Sequence, residues 1–67
     1  MDDKERLKIV LKHLLEHNDG HLEDYRRWIE LAEKNRLDLV AQSLKEAHEH
    51  VEKAGIALSV AFNLLKD

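Results

Sequence analysis

Cysteine is absent from the 67 residues, so disulfides and thiolate metal sites are excluded and nothing in the chain reports a redox compartment. Proline is absent as well and glycine occurs twice, so little punctuates the chain into strands and turns, and it reads as almost wholly helical. Positive charge is in deficit, 11 Lys+Arg against 14 Asp+Glu for a formal net charge of −3. The densest basic point, Arg26-Arg27, sits among Glu23, Asp24 and Glu30. A nucleic-acid partner, which asks for a basic face, is therefore not expected. No apolar run approaches the roughly 18–20 residues of a membrane span and no signal peptide is visible, so a soluble cytoplasmic protein is expected. The length allows one domain over 1–67, and a chain this short without disulfides calls for a metal or a partner chain to complete its core.

What is present is 43% hydrophobic and 37% charged, arranged at helical period. Asp2 with Glu5 three residues on has the spacing of a capping box. From there one apolar stripe runs through Leu7, Leu11, Leu14, Leu22, Tyr25, Trp28 or Ile29, and Ala32. A second runs through Leu37, Val40, Leu44, Ala47, Val51, Ala54, Leu58, Phe62 and Leu65. The best break between them is KNRLD, residues 34–38. Asn35 is suited to a left-handed helix end, Leu37 to folding back on that end, and Asp38 to capping the next helix. Arg36 stands where glycine would be easier. The expected fold is all-α, an antiparallel hairpin of two long helices over about 3–34 and 38–66.

The stretch HLLEHNDGH (13–21) tests that reading, because Asp19-Gly20 is a turn signal. Phase argues for a continuous helix: at about 100° per residue, Leu7, Leu11 and Leu14 share a face with Leu22, Tyr25 and Ile29. The alternative is a three-helix bundle broken near Gly20.

Apolar residues also exceed what one hairpin can cover. Ile56, Val60 and Leu64 lie opposite Leu58 and Phe62, and Ile9, Val10 and Leu15 widen the first stripe. A turn at 35–36 brings both groups to the open end, which predicts a homodimer closing into a four-helix bundle. Tyr25, Trp28 and Phe62 are expected in the core, and Asn18, near the stripe centre, is expected to fix helix register.

His13, His17 and His21 follow one another at four-residue spacing, which brings neighbouring imidazoles to about 5–6 Å between Cβ atoms, close enough to grip one ion. Across the hairpin, residues whose numbers sum to about 71 face each other, which sets His48 and His50 level with His21. His17, His21 and His48 are thus the candidate metal ligands, with His13 and Asp24 as weaker ones and His50 expected in solvent. Such a set suits a divalent transition metal, Zn, Ni or Co. Ser43 and Ser59 have no histidine and carboxylate arranged about them, and no phosphate loop is present, so no enzyme is expected. Two functions remain: a histidine-bearing metal-binding and oligomerisation module, or a protein-interaction bundle in which the histidines are incidental.

The stretch LKHLLEHNDGHLEDYRRW, followed by a helix entering through RLDLVA, resembles short prokaryotic helical-hairpin domains carrying an H-x3-H-N-x2-H helix, some of them found near metal-handling proteins. His13, His17, Asn18 and His21 are the positions that fit. The resemblance implies a hairpin over nearly the whole chain and an association with metal.

Overall fold

A computed structural model describes residues 2–66, and among them there are two helices, α1 over Asp3–Lys34 and α2 over Asp38–Leu65, packed antiparallel. The first helix begins where the Asp2 carboxylate accepts a hydrogen bond from the Glu5 backbone N–H at 2.8 Å, satisfying one of the amides the first turn leaves without a partner. It continues through Gly20, whose φ is not positive, so there is no break and no third helix.

The turn is a Schellman closure. Leu37 N–H donates to Ala32 C=O at 2.9 Å and Arg36 N–H to Glu33 C=O at 3.0 Å. The left-handed residue is Arg36, at φ 60, while Asn35 stays at φ −94. Asn35 serves through its side chain instead, Nδ2 donating to Leu31 C=O at 2.8 Å. The second helix starts one residue earlier than expected for an aspartate cap: Leu37 is the capping position and gives no side-chain hydrogen bond, and Asp38 is the first helical residue. Leu37 is committed to closing α1, so the two helix ends share it, and Asp38 acts through its charge at the positive end of the helix dipole.

Between the helices runs a seam of alternating four- and three-residue steps. On α1 it comprises Leu11, Leu15, Asn18, Leu22, Tyr25, Ile29 and Ala32, and on α2 Ala41, Leu44, His48, Val51, Gly55, Leu58, Phe62 and Leu65, all buried or half-buried. This is the 3.5-residue repeat of a coiled coil. It corrects the expected stripes in detail. Leu15 rather than Leu14 enters the seam, Ala41 rather than Val40, and Gly55 rather than Ala54. Trp28, expected in the core, is 53% exposed, because the four-residue step from Tyr25 selects Ile29 and turns its neighbour about 100° away.

The seam is thin. Among the described residues only Ala32 and Ala41 are buried, and no large side chain is fully enclosed. The molecule is a rod of 50 × 15 × 14 Å with a radius of gyration of 15.5 Å, where a compact chain of this length has about 11 Å.

Candidate functional site

Asn18 and Gly55 set the relative position of the helices at the middle of the rod. The Asn18 amide donates Nδ2–H to the Val51 carbonyl at 3.1 Å. That carbonyl is reachable because Gly55, one turn further on, has no side chain: a Cβ there would stand 2.6 Å from Asn18 Nδ2. The register role expected for Asn18 thus has a receiving partner, and Gly55 is the residue that sequence reasoning passed over. Its only sequence signal was a glycine inside an otherwise unbroken apolar helix, a hint of close backbone approach.

With the seam defined, the remaining columns fall on two broad faces. One carries the Glu33–Lys45 ion pair across the helices at 3.2 Å and a shallow groove bordered by Asp19, Glu52 and Ser59; it is largely charged. The other edge of the seam leads to a second stripe on α1, again in three- and four-residue steps: Leu7, Val10, Leu14, His17, His21, Asp24, Trp28 and Leu31. Beside it on α2 runs Val40, Ser43, Ala47, His50, Ala54, Ala57, Ala61 and Leu64. Asp24 is the one acidic residue of these sixteen, and Arg27 on the same helix pairs with it.

His17 and His21 stand at the centre of that face. Their Nε2 atoms are 2.8 Å apart, one carrying the proton and the other accepting, with ring centroids 4.3 Å apart at 88°. Both are exposed, so the two nitrogens are available from solvent. Two nitrogens on a tetrahedral zinc with 2.0–2.1 Å bonds lie about 3.3 Å apart, a change of half an ångström from what is already in place. His13 stacks on His17, centroids 6.1 Å apart at 15°, and does not bring a ring nitrogen to the pair.

His48, expected beside them, lies in the seam instead. Its Nδ1 meets Glu52 Oε1 at 3.1 Å, which turns the ring toward the charged face, and its Nε2 is buried with no protein partner. An orphaned polar atom of this kind costs on the order of 1–3 kcal/mol. His50 is exposed. Among the described residues no group of three or more His, Asp or Glu side chains is placed to hold a metal ion; what one chain presents is the His17–His21 pair of adjacent ring nitrogens. No described helix is long and apolar enough to cross a membrane.

Comparison with curated proteins and with solved structures returns no match. A family profile, by contrast, covers almost the whole hairpin, from the first residue of the second stripe on α1 to the last residue of the seam on α2. The chain belongs to the family described as Domain of unknown function (DUF8180), which matches residues 7–65.

Proposed function

We propose that the chain is a self-associating helical module whose working form is a dimer, two hairpins closing into a four-helix bundle. The observation that carries this is the missing interior: Leu7, Val10, Trp28, Leu31 and Leu64, which share one face, are each at least half exposed while, among the described residues, only Ala32 and Ala41 are buried. The accessible surface is 5441 Å², against about 4,400 Å² for a compact monomer of this mass. The excess of roughly 1,000 Å² is of the size that one partner contributes to a stable interface. No nucleophile with an adjacent base accompanies it, and the module is read as binding rather than catalysing. Sedimentation velocity of untagged protein at micromolar concentration tests the proposal: a dimer is expected, and a folded monomer would overturn it.

A second reading, favoured by the 2.8 Å approach of His17 Nε2 to His21 Nε2, is that the module takes a divalent transition metal, zinc, nickel or cobalt. Metal bound only by the folded state raises its stability. Thermal melting should therefore shift upward with added Zn²⁺ or Ni²⁺ and return with a chelator, whereas a bundle with incidental histidines would ignore both.

A further inference from the structure

We propose that a second copy of this chain docks on the His17–His21 face, and that the two histidine pairs, one from each subunit, jointly hold one divalent transition-metal ion. The proposal rests on the self-association and metal readings above and specifies what neither does: the face, the symmetry and the ligands.

The stripe on α1 is symmetric about its own centre. Leu7 and Leu31 are equidistant from position 19, as are Val10 and Trp28, and His17 and His21. The stripe on α2 is symmetric about position 52, which pairs Val40 with Leu64 and Ala47 with Ala57. These two centres lie at one level along the rod: Asn18 meets both Val51 and Gly55 across the seam, so position 18 is level with 53 and position 19 with 52. A two-fold axis lying in the face, perpendicular to the helices and crossing both at that level, therefore sets each helix antiparallel to its own copy with like residues opposed. A self-complementary patch is what an isologous dimer requires. The unlike pairs are Leu14 opposite Asp24 on α1 and Ser43 opposite Ala61 and His50 opposite Ala54 on α2, and Asp24 already has Arg27 as a counter-charge. The charged face, holding Glu33 and Lys45, remains outward.

The face is large enough. A surface 50 Å long and 15 Å wide presents about 750 Å² of footprint, close to the ~800 Å² that each partner gives to a standard interface. The alanines on the α2 stripe allow close helix approach.

The same axis completes the metal site. Among the described residues one chain brings two imidazole nitrogens to within half an ångström of the spacing a single ion needs, with no third ligand beside them. The axis passes between His17 and His21 and places the partner's His17 and the partner's His21 across from them. Four neutral imidazoles satisfy the tetrahedral preference of zinc and also suit Ni²⁺ and Co²⁺. Leu14 flanks the site on one side and Asp24, paired with Arg27, on the other.

The test uses full-length untagged protein, with sedimentation velocity and zinc titration calorimetry run in parallel. The expected result is a dimer that binds one zinc ion per two chains. His17→Ala and His21→Ala should each remain dimeric in chelator and lose zinc affinity by more than the about 10–100-fold that removal of an outer-sphere partner costs. Ala57→Glu should shift the protein to monomer and abolish the half-stoichiometric binding, whereas Ile56→Lys, one residue away but on the charged face, should alter neither. One zinc per single chain would overturn the shared site while leaving the metal reading intact. A dimer broken by Ala57→Glu that binds no zinc would overturn the metal reading and leave the interface. A dimer broken by Ile56→Lys and not by Ala57→Glu would overturn the assigned face, and a monomer at all concentrations would overturn self-association itself.

Discussion

The two glycines are chemically identical and stand in unlike surroundings, so one substitution applied to both separates helix propensity from packing. At Gly20 an added Cβ meets nothing within 4 Å, and the helix is regular on either side. Gly20→Ala should stabilise the fold by up to about 1 kcal/mol, the difference in helix propensity. At Gly55 the same methyl would stand 2.6 Å from Asn18 Nδ2. The amide must then swing away from Val51, leaving a half-buried donor unpaired at a cost of about 1–3 kcal/mol, which outweighs the propensity gain. Gly55→Ala is expected to destabilise by about 1 kcal/mol, and in an Asn18→Ala background it should stabilise instead. Urea unfolding of the two single mutants and the double mutant reads this coupling directly; additive effects would show that Asn18 does not lean on Gly55.

At the scale of the element, the turn concentrates the backbone strain. Arg36 occupies the left-handed region at φ 60, which costs an L-residue roughly 1–2 kcal/mol and costs glycine little. Arg36→Gly should therefore raise stability by about 0.5–1 kcal/mol after allowing for the greater freedom glycine has when unfolded, while Arg36→Val should lower it; the midpoint of chemical unfolding measures both. The break between the helices was readable from residues 34–38 alone, because a Schellman closure is local, but the left-handed residue expected at Asn35 is Arg36 and the cap expected at Asp38 is Leu37. The seam was readable only in part. Leu11, Leu22, Tyr25 and Ala32 belong to it, but Leu7, Leu14 and Trp28 belong to a second stripe about 100° round the same helix. Periodicity cannot separate two adjacent stripes that share a step pattern; the partner helix does. For the same reason the closeness of His17 to His21 followed from spacing, whereas the position of His48 did not. Hairpin register sets a residue's level along the rod and not the side toward which its ring turns, and Glu52 decides that for His48.

For the whole molecule, the hairpin encloses too little to account for its own stability. Among the described residues two buried alanines and a seam of half-covered side chains leave many large apolar side chains in water, and burial of such surface, at about 25 cal/mol per Å², is the main term that offsets chain entropy. If that burial occurs between subunits, folding and association are one step and stability depends on protein concentration. Each tenfold increase in concentration adds about 1.4 kcal/mol to the dimer. Unfolding enthalpy is about 0.7 kcal/mol per residue, so two copies of the 67-residue chain unfold with roughly 90 kcal/mol. The ratio predicts that Tm rises by about 5 °C per tenfold concentration, measured by circular dichroism between micromolar and hundred-micromolar protein. A Tm that stays flat over that range would mean that the hairpin folds alone and keeps its exposed leucines and valines in water without a second copy to cover them.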